Sequence, residues 1–377
     1  MMGQSKTFNW NKKAFVVTSH LGTIGGGALA PLLLCQELTD LGIEVTAFTE
    51  SLLFGDEEIP NSFHIITPWF RKGCRWDIPE RVLSFQVEKE IKRQKPEFVF
   101  MCGVTKLASS LLRSGIAGHL LMWEFTNATP QNKLVDQDAI RRLNNCRSVL
   151  SPSPVIDKGI RETYNYKGNI LRLPFWVTDH NLMLVKSPET FSTEFIYLGR
   201  RDVEKGLNEL VNATAVVAES NPDVRVLITG PGSDKPFRLL AEKLGIEQNI
   251  SFKFFKTYSE TMETLATSKY IVLPSYHEGY PLVLLEAAER SVPFISTDVG
   301  SVKEVFNGSG SGLIIPPNDV DGLANAMLQV LSENEKVYQA RRSAARAVFE
   351  RVSSKEVVRK NLVRVLDAVE KIKDRRQ

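Results

Sequence analysis

The chain has 377 residues, 43% hydrophobic and 24% charged, which is ordinary for a folded globular protein and carries no signature of disorder. That length exceeds what a single core usually supports, so two domains are expected. A net charge of +3 lacks the strong basic excess of a nucleic-acid binder, and nucleic acid is set aside as a partner.

Residues 1–20 carry lysines and only a short apolar run at 14–17, which lacks the hydrophobic region of a cleaved leader. No apolar stretch approaches the length that spans a bilayer, so a cytoplasmic protein is expected. Apolar runs at 14–19, 44–48, 63–67, 97–101, 119–123 and 148–150 have strand length, and longer helical patterns such as 28–41 and 81–95 lie between them. This rhythm predicts βαβ units around a parallel sheet with covered faces. From Thr193 it restarts, with runs at 195–198, 224–228, 250–254, 270–273, 292–296 and 313–315. Pro188 and its polar neighbours interrupt the pattern at 177–192, where the domains should join.

After Asn334 the sequence turns helical, and Ser353-Ser354-Lys355-Glu356 has the form of a capping box for a last helix. Val358, Leu362, Val365, Val369 and Ile372 recur at spacings of four and three, so one face of that helix needs a partner surface. About two heptads is too short to prefer a coiled-coil seam, and packing back on the first domain is expected. The predicted fold is therefore α/β, with two Rossmann-like doubly wound domains facing a cleft. The N-terminal domain covers 1–180, on the acceptor side, the second 181–350, on the donor side, and the C-terminal helix 351–377.

Cys35, Cys74, Cys102 and Cys146 are scattered, with no Cys-x-x-Cys pair and no accompanying histidine spacing. They read as reduced, mostly buried thiols.

Three segments carry chemistry. Tyr276-His277-Glu278-Gly279-Tyr280-Pro281-Leu282 follows the buried run 270–273, and Glu286 lies eight residues after Glu278. A strand stopping at Pro274 and a helix starting near Pro281 put Glu278 in a loop above the strand's carboxyl end and Glu286 inside the helix. In open α/β sheets that crevice is where ligands bind. Gly199-Arg200-Arg201-Asp202-Val203-Glu204-Lys205-Gly206 leaves the first strand of the second half, placing Arg200 and Lys205 beside a helix N-terminus, a geometry suited to adjacent phosphates. Thr229-Gly230-Pro231-Gly232 gives another backbone-exposing turn, read first as scaffold, and the aromatics at 254–258 are read as packing in preference to flanking a base or sugar. In the first half, Gly22-Thr23-Ile24-Gly25-Gly26-Gly27 opens the first helix as a substrate-facing loop or, alternatively, a set of glycines used only for tight turning. It fits neither the dinucleotide fingerprint nor the phosphate-loop pattern.

Together these residues resemble the retaining family-4 glycosyltransferases of the GT-B fold. The resemblance spans nearly the whole chain and is strongest in the second half, in Gly199-Arg200 with Glu204-Lys205-Gly206, in Glu278-x7-Glu286 within Pro-Ser-x-x-Glu-Gly-Tyr-Pro, in Thr297-Asp298-Val299-Gly300 with Glu304, and in the run 312–317. It implies that Arg200 and Lys205 hold the donor diphosphate, that Glu278 contacts the donor sugar, and that Glu286 holds the ribose hydroxyls. Backbone amides after Gly279, with Tyr280 and Leu282, and the turns at Gly199 and Gly230 would complete the donor site, while Gly25, Gly26 and Glu124 would face the acceptor. Fixed cations and N–H dipoles aimed at a departing diphosphate lower the barrier to breaking a glycosyl–phosphate bond. The first half departs from the family where a histidine is usual, since Trp123 and Glu124 stand there, and Pro174-Phe175-Trp176-Val177-Thr178-Asp179 replaces the usual Asn-Gly-Val-Asp.

The implied activity is retaining transfer of a sugar from a UDP- or GDP-linked donor to a saccharide or lipid-linked hydroxyl acceptor. The alternatives are a sugar-nucleotide epimerase of the same architecture and a non-catalytic scaffold. No cofactor beyond the nucleotide-sugar co-substrate and no metal are expected, because the aspartates of Asp136-Gln137-Asp138 and Asp319-Val320-Asp321 precede helical stretches and suit helix capping. Basic residues at 71–75 and Lys89, Lys92, Arg93 and Lys95 could meet an anionic membrane at its inner face, but admixed Glu88 and Glu90 favour a solvated helix face.

Overall fold

A computed structural model describes residues 11–23, 25–54, 59–68, 79–124, 135–178 and 191–374. The chain divides into two units, one formed by Met1–Pro174 with Arg359–Gln377 and the other by Phe175–Val358. The expected junction at 177–192 and the basic segment at 71–75 fall largely or wholly outside the described residues.

The first unit is built on a sheet of β1 (Lys13–Gly22), β2 (Glu44–Leu53), β3 (His64–Ile66), β4 (Phe98–Cys102), β5 (Leu120–Trp123), β6 (Ser148–Ser151) and β7 (Ile170–Arg172), ordered β3-β2-β1-β4-β5-β6-β7. All six neighbouring pairs are parallel. Parallel neighbours need crossovers, and α1 (Gly26–Asp40), α2 (Glu80–Gln94), α3 (Lys106–Leu112), α4 (Gln137–Arg142) and α5 (Pro154–Glu162) lie between the strands in sequence. Consecutive residues Ala14 to Val17 and Phe98 to Cys102 are all buried, as expected for strands covered on both faces. Cys35, Cys102 and Cys146 are buried as well, and burial pushes the Cys35 and Cys102 thiols up. On α2, Lys92 pairs with Glu88 and Arg93 with Glu90 of the same helix, the pattern of a solvated face.

The second unit holds β8 (Thr193–Leu198), β9 (Val226–Thr229), β10 (Ile250–Lys253), β11 (Ser268–Leu273), β12 (Phe294–Thr297) and β13 (Gly312–Ile315), ordered β10-β9-β8-β11-β12-β13 and again wholly parallel. Its helices are α6 (Leu207–Ser220), α7 (Lys235–Lys243), α8 (Tyr258–Ala266), α9 (Leu282–Glu289), α10 (Val302–Phe306), α11 (Val320–Leu331) and α12 (Glu335–Val352). Phe195, Tyr197, Val226, Ile228, Tyr270 and Val272 of the sheet join Leu210, Val217 and Met327 of the helices in one buried cluster. In both units the strand order reverses beside the first strand, between β1 and β4 and between β8 and β11. Both are thus doubly wound α/β units, as the strand–helix rhythm implied.

The last helix, α13 (Lys355–Asp374), crosses from one unit to the other, its residues from Arg359 onward belonging to the first. Leu362, Val365, Leu366 and Val369 are buried on the expected face. Arg359 donates to the buried Glu37 of α1 at 3.0 Å, the Arg147 guanidinium donates to the Val369 carbonyl, and Lys12 pairs with Glu370. The expected capping box is not what holds the helix start. The Ser353 hydroxyl accepts from Val177 N–H at 3.0 Å, and the first helical carbonyl, Ser354, accepts from Val358 N–H at 3.0 Å. Among the described residues no helix is long and apolar enough to cross a membrane.

Candidate functional site

The switch point between β8 and β11 is where neighbouring crossovers leave in opposite directions, opening a crevice at the strands' carboxyl ends. The loop after β8 carries Gly199, Arg200 and Lys205, and the loop after β11 carries Ser275, Glu278 and Gly279. The two loops are joined directly, with Tyr276 N–H donating to the Glu204 carbonyl at 3.0 Å. Gly206 makes that approach possible. It has φ of +67° at the N-cap of α6, and a Cβ there would lie 2.0 Å from the Pro274 carbonyl oxygen.

Lys205 Nζ, brought in this way to the end of β11, donates to Glu278 Oε1 at 2.7 Å, with both side chains largely shielded, at 18% and 17% exposure. The same carboxylate oxygen accepts from the Ser275 hydroxyl at 2.7 Å, and Ser275 is itself buried, its carbonyl accepting from Thr297 Oγ1 at 2.6 Å. Glu278 is thus oriented by a cation and a hydroxyl on one oxygen. The loop is also pressed from β12, since a Cβ at Gly300, where φ is +53°, would lie 2.4 Å from the Gly279 carbonyl oxygen. Ser301 donates to that carbonyl from its N–H at 3.1 Å and from its hydroxyl at 3.2 Å.

Arg200 is more than half exposed and pairs with Asp202 at 2.5 Å. Its neighbour Arg201 serves the scaffold, donating to the Gly232 carbonyl at 3.3 Å and to the Lys253 carbonyl. Tyr197 donates to the Arg200 carbonyl at 2.7 Å, its phenol pushed up by burial and then by the charge of Glu278. A Cβ at Gly199 would meet that hydroxyl at 2.6 Å, and one at Gly230 would meet the Gly199 carbonyl oxygen at 2.0 Å. Both glycines therefore allow the β8 and β9 turns to nest against each other.

Helix α9 begins at Leu282, with Pro281 as its N-cap in place of the first helical turn. Leu282 N–H donates to the Tyr280 carbonyl at 2.9 Å across Pro281, whose φ of −82° and ψ of 72° are those of an inverse γ-turn. Tyr280 is buried and packs edge-on against Phe175 at 5.6 Å. The helix N-terminus thus stands at the crevice with its dipole available to an anion. Glu286 is the fifth residue of α9, half-buried, and burial pushes its carboxyl up to about 7, against lowering by the Tyr258 hydroxyl and Arg290. Tyr258 OH donates to Glu286 Oε1 at 3.0 Å.

Residue-level reading found the Lys205, Glu278 and Glu286 backbone positions but not Ser275 or Tyr258 as partners of the two carboxylates. Ser275 had a signal, its place in Pro-Ser-x-x-Glu. Phe254, expected to pack, is 54% exposed, because the strand β10 ends before it at the edge of the sheet.

In the first unit, Gly25 has φ of +87° at the N-cap of α1 and Gly26 is the first residue of that helix, both exposed after β1. Glu124 is buried just past β5, its N–H donating to the Leu150 carbonyl at 3.0 Å, and Trp123 is buried beside it. His119 lies exposed at the amino end of β5, the opposite end from Glu124. Both Asp-x-Asp segments do cap helices. Asp136 accepts from Ala139 N–H and Asp319 from Gly322 N–H, each at 2.8 Å. Asp138 is held well below the usual carboxylate range by the Ser109 hydroxyl at 2.6 Å and then by Arg142 at 3.0 Å.

Residues 186–348 match the family described as glycosyl transferases group 1, a span that contains every candidate donor-site residue. The chain is 29% identical over 170 residues to the glycogen synthase of Mycobacterium tuberculosis, covering 45% of this chain and 40% of that one, and so spans well under half the length of the curated relatives it matches. In fold it is similar to sucrose-phosphate synthase from Thermosynechococcus elongatus, with a TM-score of 0.73 at 18% identity over 95% of this chain and 99% of that one. It is also similar to S. aureus TarM in complex with fondaparinux, alpha-GlcNAc-glycerol and UDP, with a TM-score of 0.76 at 14% identity over 94% and 99%. At such identities these structures speak for the fold, which is the GT-B arrangement of two Rossmann-like units. Through residues 186–348 the second unit is thus similar to the glycosyl transferases group 1, a likeness with which the fold agrees.

Proposed function

We propose that this chain is a glycosyltransferase that moves a sugar from a nucleoside-diphosphate sugar to a hydroxyl acceptor, with retention at the anomeric carbon and without a metal ion. The observation that carries this reading is the shielded Lys205–Glu278 pair at the β8–β11 switch point, flanked by Arg200 and by the N-terminus of α9. Breaking the glycosyl–phosphate bond leaves an extra negative charge on the diphosphate and an oxocarbenium-like sugar. Lys205, Arg200 and the N–H groups of Gly279 and Tyr280 would meet the phosphates, Glu278 the sugar, and Glu286 the ribose hydroxyls. A departing phosphate that takes the acceptor's proton on the same face needs no strong protein base, which is the route to retention. Metal-free chemistry is supported by those cations and by the capping duties of Asp136 and Asp319. UDP bound to a protein of similar fold makes a uridine donor the first to try.

The test is to incubate the chain with UDP- and GDP-sugars, with and without saccharide and lipid-linked acceptors, and with excess chelator. Acceptor-dependent sugar transfer with retained configuration, surviving chelation, is expected. Release of an altered sugar without acceptor would instead identify an epimerase, and turnover of none of them would leave a scaffold. Lipid-linked acceptors turned over only on anionic vesicles would place the reaction at a membrane surface.

A further inference from the structure

Helix α8 starts at Tyr258, and its start is fixed by a reciprocal cap. Glu260 N–H donates to Thr257 Oγ1 at 3.1 Å, and Thr257 N–H donates to Glu260 Oε2 at 3.4 Å. The first helical side chain is therefore held in a defined direction, and it delivers the Tyr258 hydroxyl to Glu286 Oε1 on α9 at 3.0 Å. Burial pushes the Tyr258 phenol well up, so it keeps its proton and acts as a donor throughout the neutral range. The other charged groups facing Glu286 are Arg290 and Glu289, from α9 itself, and these two pair with each other at 2.9 Å. Among the described residues the hydrogen bond to Glu286 Oε1 comes from a neutral phenol, where one to Glu278 Oε1 comes from Lys205. Tyr258 is the neutral donor from a second helix that fixes one oxygen of Glu286.

We propose that Tyr258 is a positioning residue for nucleotide recognition, holding the Glu286 carboxylate by one oxygen in the orientation and charge state that accept the two ribose hydroxyls. This rests on the reading of Glu286 as the ribose ligand given above. A carboxylate that must accept two vicinal hydroxyls binds best when ionised and fixed in one rotamer. Burial works against ionisation here, and a hydrogen bond to the charged form works for it. Loss of the hydroxyl should therefore move the ionisation of Glu286 to higher pH and free its rotamer without touching Lys205 or Glu278.

The experiment is titration of UDP and GDP into the full chain by calorimetry, from about pH 5.5 to about pH 9, for wild type, Tyr258→Phe, Glu286→Gln and Glu286→Ala. In wild type the affinity for the preferred nucleotide should rise as pH passes through about 7. Tyr258→Phe keeps the ring, and should weaken binding about 10-fold at neutral pH and move the midpoint up by about one pH unit. Glu286→Gln, which retains the shape but cannot ionise, should bind weakly with no midpoint near 7, and so should Glu286→Ala. Tyr258→Phe matching wild type in both affinity and midpoint, while the Glu286 variants lose affinity, would overturn the role of Tyr258 and leave the donor site standing. Glu286→Ala binding like wild type, or neither nucleotide binding the wild-type chain, would overturn the donor reading and this inference with it. Should Tyr258→Phe fail to fold, Glu286→Gln retaining the wild-type pH midpoint overturns the inference on its own.

Discussion

At the residue scale, the two glutamates eight positions apart sit in opposite electrostatic settings. Glu278 shares one oxygen between Lys205 and Ser275, whereas Glu286 lies in a drier place with a neutral phenol as its partner. Different settings imply different duties. Glu278→Ala is expected to lower turnover far more than nucleotide affinity, Glu286→Ala to do the reverse, and Lys205→Ala to cut turnover by about 10²–10³-fold, all read from steady-state kinetics with the true donor. Unchanged kinetics in all three would refute the site. Glu286 also makes fold stability depend on pH. Its folded value of about 7 lies above the ordinary 4.5, so its contribution is full below about 4.5 and is lost as pH rises through about 7. Melting temperatures of wild type should therefore fall relative to Glu286→Gln between those limits. A difference that stays flat with pH would show an unshifted carboxyl.

At the element scale, what makes the site is the contact of two loops that the sheet order brings side by side. Gly206 is its hinge point, because its backbone conformation and its closeness to Pro274 both forbid a side chain. Gly206→Ala is expected to destabilise the second unit by about 1–3 kcal/mol and to cost activity through displacement of Lys205, checked by denaturant unfolding and by kinetics. A variant of wild-type stability and activity would mean that the loops adjust freely. The glycine was visible in Glu204-Lys205-Gly206, but the reason for it was not. A sequence does not show that the Pro274 carbonyl, 68 residues away, occupies the space a Cβ would need.

At the scale of the whole molecule, the chain's last segment belongs to its first unit. Leu362, Val365, Leu366 and Val369 are buried, and each such side chain is worth about 1.5–3 kcal/mol when removed from water. Deleting residues 359–377 should therefore destabilise the first unit by several kcal/mol while sparing the second, and limited proteolysis should cut within 11–174 well before 191–358. Equal resistance of the two units would show that the helix contributes little to the first. The period of α13 was legible because its apolar face follows the helical repeat. Its start was misread, since the hydroxyl that suited a cap accepts from Val177 instead.

Strand and helix periodicity, the restart of the pattern near Thr193 and the order of residues around Glu278 were determined by the sequence alone, because burial on both sheet faces forces continuous apolar runs and prolines mark where a strand stops and a helix can start. Only the tertiary structure decided which partner each polar group takes. Ser275 on Glu278, Tyr258 on Glu286, Asp202 on Arg200 and the outward turn of Phe254 depend on strand order and on the approach of segments distant in the chain. Hydrogen bonds act over about 3 Å in space whatever the separation along the backbone, so no local pattern encodes them.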